Sequence, residues 1–400
     1  MSTPAAQIQT VPPPPGALPP QRLLIFAGGG SGGHIFPGLA IAAEVQRLCA
    51  PGPSPEMLFV TSDRGIDAQI MAPLDFPHVA SPARPMILKP MGLIRFVQGW
   101  EAAVQQATDI LTNSRPPQYA SRHVVAMGGF VAAPFVRAAA NARVPVTMVN
   151  LDAVPGKANK YIARHADRIF TTARVSPQHR GRKDRWWIEV PPIVRKIAGW
   201  NRLRDACRIH LGIDPTRPVL MITGGSQGLR SLNEFVTAFA ASEAGQRTLK
   251  AGQWQVLHQT GRNLDEAART AYKNAGIDAT VVPFNEHMGD WWGASDLAVC
   301  TAGAGNIAEI WQNKTPALLL PYPHHKDEHQ KFNAAPLSDC AGAVVCKDWI
   351  DPALNLQHNA AELESLLSDP DRRAAMRANL EKLGPADGAT RIARALLDIT

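Results

Sequence analysis

Two successive series of short apolar runs, separated by segments with helical periodicity, organise the chain after its first twenty residues. Runs that are apolar throughout, rather than alternating, are typical of strands in a parallel sheet that helices cover on both faces. Helical periodicity is clearest over residues 37–48 and 93–107. The predicted strands are 23–27, 57–61, 124–127, 146–149 and 168–171 in the first series, and 219–223, 255–259, 281–284, 297–300, 317–320 and 343–346 in the second.

The repetition predicts an α/β protein of two doubly wound parallel-sheet domains that face each other across a cleft. Four hundred residues suit this division, because single cores rarely grow beyond about 250–300 residues. The Pro-rich segment 1–20 is expected to be a disordered tail. Residues 21–194 form the predicted first domain, which the final helix (389–400) joins, and residues 195–388 form the second, with the linker at 191–195.

Charge and cysteine usage narrow the class of protein. The net charge of +7 favours an anionic partner, which could be nucleic acid, anionic lipid or a phosphorylated substrate. Nucleic acid is disfavoured because no basic run or recognisable module is present. The five cysteines are scattered, which indicates reduced thiols in a cytosolic protein. We find no apolar run of about 20 residues and no secretory signal, so the protein is expected to stay in the cytoplasm.

Glycine-rich loops follow four of the predicted strands. They lie at 28–33, 128–129, 224–228 and 303–305, and each precedes a predicted helix. Glycines expose backbone N–H groups, and a helix start adds a positive dipole end, so each loop is a candidate anion site. One such loop is equally well explained as a tight turn. Four loops at equivalent strand ends favour a ligand that contains phosphate.

Four longer motifs resemble the MurG family of glycosyltransferases. They are GGGSGGHIFPGLAIA from Gly28, VAMGGFVAAP from Val125, TGGSQGLRSLN from Thr223, and the segment that runs from Cys300 to Leu337. The resemblance extends from about residue 23 to the C-terminus. It implies the GT-B fold of two Rossmann-like domains. It also implies transfer of N-acetylglucosamine from its UDP donor to the lipid-linked muramyl-pentapeptide precursor of peptidoglycan, in cell wall synthesis.

The resemblance also implies roles for residues at matching positions. Ser31, Gly32 and Gly33 would approach a diphosphate, either the donor's or the acceptor's. His34 is the first candidate for the catalytic base, since imidazole titrates near neutral pH, and Asp152 is the second. The implied donor contacts in the second domain are Arg195 and Ser226 for the phosphates and nucleoside, Gly305 and Asn306 for the diphosphate, Glu309 for the ribose hydroxyls, and His329 and Gln330 for the sugar.

The chain departs from the family pattern at two places. The family carries His-Glu-Gln-Asn where this chain has Val149-Asn150-Leu151-Asp152, and a pair of Gln where it has His329-Gln330. The resemblance implies that the last residue of this run recognises the sugar; here it is Asp152, whose ionised carboxylate accepts hydrogen bonds but cannot donate them, unlike the family's Asn. Two alternatives therefore stay open. One is a UDP-sugar transferase with a different sugar or glycolipid acceptor, and the other is a sugar-nucleotide-binding protein without catalysis.

Backbone N–H groups can stabilise the diphosphate charge, so we expect inverting transfer with no metal and no other cofactor. Residues 84–100 combine basic and apolar side chains and suit the surface of an anionic membrane. Membrane contact is predicted for Ile87, Leu88, Lys89 and Met91, whereas the helix that follows, with Leu93, Phe96, Val97 and Trp100 at core spacing, is interpreted as packed. The expected location is the cytoplasmic face of the cell (inner) membrane, as a peripheral protein.

Overall fold

The computed structural model describes residues 22–30, 32–112, 121–180, 186–199, 203–324 and 327–399. The expected tail at 1–20 and the candidate Ser31 lie outside these residues. The chain divides into two compact units. The first ends at Ile193 and is completed by the chain from Asp387 onward, and the second spans Val194–Ala386.

The first unit is built on a seven-stranded parallel sheet with the order β3-β2-β1-β4-β5-β6-β7. The side chains of its first strand alternate between two cores, because successive residues of a strand point to opposite faces. Ile25 packs in one core, and Leu24 and Phe26 pack in the other. The strands are β1 Arg22–Gly28, β2 Glu56–Ser62, β3 His78–Ser81, β4 Ser121–Gly128, β5 Val146–Asn150, β6 Arg168–Thr171 and β7 Trp187–Glu189.

Helices cover both faces of this sheet, which explains why its central strands are apolar throughout. They are α1 Gly32–Cys49, α2 Gly65–Met71, α3 Pro90–Thr112, α4 Gly129–Ala142 and α5 Lys157–Ile162, with a 3₁₀ turn at Pro177–His179. α4 begins at Gly129, directly after β4, and α1 begins at Gly32, a short loop after the last residue of β1, Gly28. Both helix starts therefore lie at the carboxyl edge of the sheet, where open α/β sheets bind ligands.

The second unit repeats the design with a six-stranded parallel sheet of order β10-β9-β8-β11-β12-β13. Its strands are β8 Val219–Thr223, β9 Gln255–Gln259, β10 Asp278–Val282, β11 Leu297–Cys300, β12 Ala317–Leu319 and β13 Ala343–Val345. Its helices are α6 Arg204–His210, α7 Arg230–Ala241, α8 Glu243–Gly245, α9 Asp265–Ala275, α10 Met288–Ala294, α11 Ala304–Asn313, α12 His329–Asn333, α13 Ala335–Asp339, α14 Pro352–Ser368 and α15 Pro370–Glu381, with a 3₁₀ turn at Lys196–Ala198 and a π turn at Gln246–Lys250.

The last helix, α16 Gly388–Leu396, belongs to the first unit and not to the second, which precedes it in sequence. Its buried Ile392 and Leu396 share a core with Ile41 and Val45 of α1. An ion pair of Arg391 with Asp387, 2.9 Å between Nε and Oδ1, lies at its start. Burial of these two apolar side chains contributes roughly 2–3 kcal/mol each to the docking of the helix.

The structure confirms the α/β class and corrects three expectations from sequence. β3 and β7 were not predicted, and β10 begins at Asp278, three residues before the expected run. The interpretation of 93–100 as packed was wrong for Leu93 and Val97, which are exposed. α3 buries its small residues Gly99, Ala103 and Ala107 instead, together with Ile110 and Leu111, so its larger apolar side chains face outward over its first two turns.

Candidate functional site

The first two glycine loops lie beside each other at the carboxyl edge of the first sheet. β1 and β4 are neighbouring strands, and Gly28 is paired with Gly128 after a shift of register between Ala27 and Gly28. Gly128 has φ +98°, a conformation that favours glycine, and a side chain there would collide with Asn159. α1 and α4 start immediately after these loops. Their free N–H groups therefore lie at the same edge of the sheet.

A buried carboxylate accepts a hydrogen bond from the backbone of the first glycine loop. Asp67 of α2 is fully buried, and its Oδ2 accepts hydrogen bonds from the N–H of Gly30 (2.7 Å), the N–H of Ser62 (2.9 Å) and the hydroxyl of Ser62 (2.6 Å). Its other oxygen, Oδ1, is buried with no hydrogen-bond partner among the described residues. Gly30 has φ +88°, and a Cβ atom there would lie 2.6 Å from the ring of Phe130. The loop is thus fixed in a shape that only glycine adopts without strain.

His34 lies on the first turn of α1 and packs against the second glycine loop. A Cβ atom at Gly129 would lie 3.2 Å from its Cε1 atom. Burial lowers the pKa of His34, while the charge of Asp152, a hydrogen bond to the Gly29 backbone and the charge of Asp67 act in the opposite direction. The imidazole is therefore neutral near pH 7, which is the form that can accept a proton.

The structure brings the two candidate bases, His34 and Asp152, into one electrostatic environment. Asp152 follows β5, and the fully buried Asn150 fixes its backbone: Asn150 Nδ2 donates to the Asp152 carbonyl at 2.7 Å. Asn150 also donates to Thr171 Oγ1 and accepts from Asn159 Nδ2 at 3.1 Å. The departure from the family pattern at 149–152 thus forms a satisfied polar network rather than a disrupted segment.

In the second unit the candidate donor residues gather around Glu309 on α11. Its Oε2 accepts a hydrogen bond of 2.6 Å from Trp292 Nε1. Burial raises the pKa of Glu309 to about 6, and the Trp292 hydrogen bond and the charge of Arg195 oppose the rise. Burial likewise lowers the pKa of Arg195, against the charges of Glu309 and Glu286. Arg195 and Glu309 are thus close enough for each charge to act on the pKa of the other.

Other predicted donor residues stand at the ends of strands β8 and β11. Gly305 is exposed in the first turn of α11, where no packing contact would prevent a side chain. Asn306 is buried, and its amide Nδ2 donates to the carbonyl and the hydroxyl of Thr301, both at 3.0 Å. Its side chain therefore shapes the helix start, and a diphosphate would meet its backbone rather than its amide group. Ser226 is exposed in the loop after β8.

His329 and Gln330 begin α12. The Nδ1 atom of His329 lies 2.8 Å from Asp327 Oδ1, and Gln330 Oε1 accepts a hydrogen bond of 2.9 Å from the Tyr322 N–H. Gln330 Nε2 also lies 3.8 Å from the position of a Cβ atom at Gly303, directly before α11. Gln330 is therefore adjacent to the helix start that carries Gly305, and its amide N–H groups face that side.

The predicted membrane contacts form an exposed apolar surface in the first unit. Leu88 is 85% exposed, and Met86, Ile87 and Met91 are also exposed. Lys89 is exposed among them. Leu93, Ile94 and Val97 of α3 extend this surface. We call this set, Met86–Met91 with Leu93, Ile94 and Val97, the apolar surface. Among the described residues, helices are too short or too polar to span a bilayer.

Three residues that hold the site were missed from the sequence. Trp292 positions Glu309, Asp67 anchors Gly30, and Arg64 donates from Nη1 to the Gly30 carbonyl at 2.9 Å. The only signal for Arg64 and Asp67 is their place directly before and on the short helix α2, which follows β2, the strand whose carboxyl end adjoins that of β1. Their spacing to the glycine loop in sequence, more than thirty residues, carries no pattern.

Comparison with known proteins agrees with the architecture. Residues 24–171 match the glycosyltransferase family 28 N-terminal domain, and residues 219–392 match the family's C-terminal domain. The solved structure of MurG from Acinetobacter baumannii superposes with a TM-score of 0.68 at 20% identity, covering 95% of this chain and 100% of that one. UDP-GlcNAc 2-epimerase from Neisseria meningitidis superposes with a TM-score of 0.61 at 13% identity, over 94% and 99% of the two chains. These structures show the shared fold.

Two curated relatives carry the name UDP-N-acetylglucosamine–N-acetylmuramyl-(pentapeptide) pyrophosphoryl-undecaprenol N-acetylglucosamine transferase. The relative from Nocardioides sp. is 31% identical over 370 residues, which cover 92% of this chain and 95% of the relative. The relative from Alkalilimnicola ehrlichii is 32% identical over 376 residues, which cover 92% and 96%. Identity at this level extends over both units. The chain therefore belongs to the MurG family within glycosyltransferase family 28.

Proposed function

We propose that the protein transfers N-acetylglucosamine from UDP-N-acetylglucosamine to the lipid-linked muramyl-pentapeptide diphosphate acceptor, the step that converts lipid I to lipid II in peptidoglycan synthesis. The observation that carries the proposal is the electrostatic interaction of Arg195 with the half-buried Glu309 of α11. Arg195 and the N–H groups at the start of α11 would bind a diphosphate, and the carboxylate of Glu309 would accept from ribose hydroxyls. The names of the curated relatives supply the sugar and the acceptor.

The reaction we propose is a direct displacement. The acceptor hydroxyl attacks the anomeric carbon of the donor sugar, the bond to the UDP oxygen breaks, and the configuration inverts. His34 accepts the hydroxyl proton, since its lowered pKa keeps the imidazole neutral. The negative charge on the departing UDP is stabilised by Arg195 and by the N–H groups at the start of α11, so no divalent cation is required. Asp152 stabilises the imidazolium that forms.

Gln330 and His329 are proposed to contact the sugar hydroxyls. Gln330 keeps two amide N–H donors while its oxygen is held by the Tyr322 N–H, so it would donate to the sugar. Calorimetric titration with UDP-N-acetylglucosamine, UDP-glucose and UDP-galactose measures the preference. Tightest binding of the acetamido sugar supports the assignment, and equal affinity for all three donors would contradict it.

The central test is transfer itself. Purified protein, radiolabelled UDP-N-acetylglucosamine and a water-soluble muramyl-pentapeptide diphosphate lipid should yield a labelled disaccharide product, at a rate unchanged by EDTA. Donor binding without product would support a sugar-nucleotide-binding protein that has no catalysis. Product with UDP-glucose, but not with UDP-N-acetylglucosamine, would support a transferase with another sugar.

The apolar surface is proposed to bind the cytoplasmic face of an anionic membrane. Apolar side chains would enter the boundary between headgroups and acyl chains, and Lys89 would contact lipid phosphates. Sedimentation with vesicles that contain phosphatidylglycerol tests this. Leu88→Glu with Met91→Glu should reduce the bound fraction at least tenfold. Leu203→Glu, at a 79% exposed leucine of the second unit, is the matched control and should bind like the wild type. Equal loss in both variants, or none in either, would refute the assignment.

A further inference from the structure

Arg64 occupies a fixed position between the two glycine loops of the first unit. Its Nη1 donates to the Gly30 carbonyl at 2.9 Å, and its guanidinium carbon lies 5.2 Å from the centre of the Phe130 ring. Gly30 belongs to the first loop, and Phe130 follows Gly128-Gly129 of the second. The side chain is exposed, yet two contacts define its direction. A guanidinium held by one hydrogen bond and one aromatic face loses little further freedom when it binds a ligand.

Most hydrogen-bonding capacity of Arg64 is unused. A guanidinium has five N–H donors, and the bond to Gly30 uses one of them. The remaining donors have no partner among the described residues. By contrast, the neighbouring Arg84 donates to Asp63 Oδ1 at 2.7 Å and so forms an ion pair. Arg64 is thus a cation beside both glycine loops. Within the described residues, no carboxylate lies at ion-pair distance from it.

A buried acidic side chain adjoins the same loop. Asp67 is fully buried and accepts from the Gly30 N–H, and Arg64 places a positive charge on the other side of this loop residue. Three N–H and O–H donors saturate its Oδ2 atom, and Arg64, three residues earlier on the same short segment, contacts the other side of Gly30. Gly30 is therefore held by two hydrogen bonds, from its N–H to Asp67 and from Arg64 to its carbonyl. The guanidinium of Arg64 stays exposed beside the loop.

We propose that Arg64 binds the diphosphate of the lipid-linked acceptor, together with the backbone N–H groups of Gly32 and Gly33 at the start of α1. This inference rests on the proposed function, in which two diphosphates meet the enzyme, one in the donor and one in the acceptor. The second unit has its own cation, Arg195, and its own helix start for the donor. Arg64 gives the first unit the corresponding group, and its planar donors match two phosphate oxygens.

The test measures binding of a water-soluble prenyl diphosphate, geranyl diphosphate, by calorimetry. Saturating UDP is present so that the donor site is occupied. Arg64→Ala and Arg64→Gln should each weaken binding at least tenfold, since each removes a charge-assisted contact. Arg64→Lys, which keeps the charge but loses the planar fork, should weaken it roughly two- to fivefold. Arg174→Ala is the control, because Arg174 is an exposed arginine of the same unit beside Glu189 and should bind as the wild type does.

Glutamine at position 64 separates a ligand contact from a structural role. Its amide can still donate to the Gly30 carbonyl, so a purely structural role would leave Arg64→Gln with wild-type affinity, and that result would overturn the proposal. Geranyl monophosphate should bind more weakly than the diphosphate to the wild type and lose less affinity in Arg64→Ala. Wild-type protein that fails to bind geranyl diphosphate would equally overturn the proposal.

The steady-state readout distinguishes this inference from the proposed function. In the transfer assay, Arg64→Ala should raise KM for the acceptor at least tenfold and leave KM for UDP-N-acetylglucosamine within twofold of the wild type. If Arg64→Ala transfers the sugar with an unchanged KM for the acceptor, the role of Arg64 is refuted and the proposed function is not. Prenyl diphosphate binding that depends on Arg64, in a protein that transfers no sugar, would refute the proposed function and leave the diphosphate contact standing.

Discussion

Replacing Glu309 by Gln is expected to make the protein more stable and its donor binding weaker. In the folded protein the pKa of Glu309 is raised from 4.5 to about 6 by burial. One unit of pKa corresponds to about 1.4 kcal/mol, so the ionised carboxylate lowers the free energy of unfolding by at most about 2 kcal/mol near pH 8. The side chain is partly exposed, and solvent therefore reduces this value.

The sign of the effect follows from proton binding. The folded state holds the Glu309 proton more tightly than the unfolded state, so the stabilising contribution of this group is present below pH 4.5 and lost as the pH rises through about 6. Glutamine is neutral throughout and can still accept from Trp292 Nε1. Urea unfolding at pH 8 should therefore give a higher midpoint for Glu309→Gln, and the difference should shrink towards pH 5.

Donor affinity is expected to change in the opposite direction. If only the ionised carboxylate accepts from the ribose hydroxyls, about one tenth of the protein is competent at pH 5, and the apparent Kd should be roughly tenfold higher than at pH 8. Calorimetry with UDP-N-acetylglucosamine between pH 5 and 8 measures this, because its phosphates carry constant charge in that range. Glu309→Gln should bind weakly at every pH, with no inflection near 6.

Glu266→Gln on α9 is the matched control, since that side chain is 87% exposed. It should change neither the urea midpoint nor the donor Kd. Unchanged donor affinity in Glu309→Gln at pH 8 would refute the ribose assignment. An unchanged urea midpoint would instead refute the argument that burial of this charge opposes folding, and the two outcomes are independent of each other.

Three further changes test the first unit. His34→Ala should lower kcat about 100-fold with the Kd for UDP-N-acetylglucosamine within twofold of wild type, and a loss below fivefold would remove His34 as the base. Asp152→Asn removes a charge that raises the pKa of His34, so the acidic limb of the plot of kcat against pH should move to lower pH. An unchanged acidic limb would show that Asp152 does not act on the pKa of His34. Gly30→Ala places a Cβ atom 2.6 Å from Phe130 at φ +88°, so the free energy of unfolding should fall by about 1–3 kcal/mol, and an unchanged melting temperature would contradict the strain.

The central strands were predictable from sequence because strands that are buried on both faces consist of continuous apolar runs. The predicted bounds of β8, β9 and β11 coincide with those observed. β3 (HVAS) and β7 (WIE) lie at the two edges of the first sheet and are too short and too polar to produce such a run. Helical periodicity also located α3 but not its buried face, because that face consists of the small residues Gly99, Ala103 and Ala107 before it reaches Ile110 and Leu111.

For the site, sequence motifs identified the residues that begin helices and end strands, but not those that hold them. The resemblance named Arg195 and Glu309, whose charges act on each other in the second unit. Arg64, Asp67 and Trp292 act through contacts between segments that are distant in sequence or lack any recognisable spacing, and the hydrophobic pattern carries no information on such contacts. The roles of the individual site residues stay predictions that the experiments above address.

Features that lower the stability of the folded protein lie at the proposed ligand contacts. Asp67 has one buried oxygen with no hydrogen-bond partner in the part of the chain that the structure describes, Gly30 adopts a left-handed conformation, and burial opposes the charge of Glu309. None of these features is needed to pack the two sheets, whose cores are apolar on both faces. A fold selected for stability alone would replace each of them, since one unsatisfied buried polar group costs about 1–3 kcal/mol. Their presence at Gly30, on α2 and on α11 supports the proposal that a diphosphate and a ribose bind at these places.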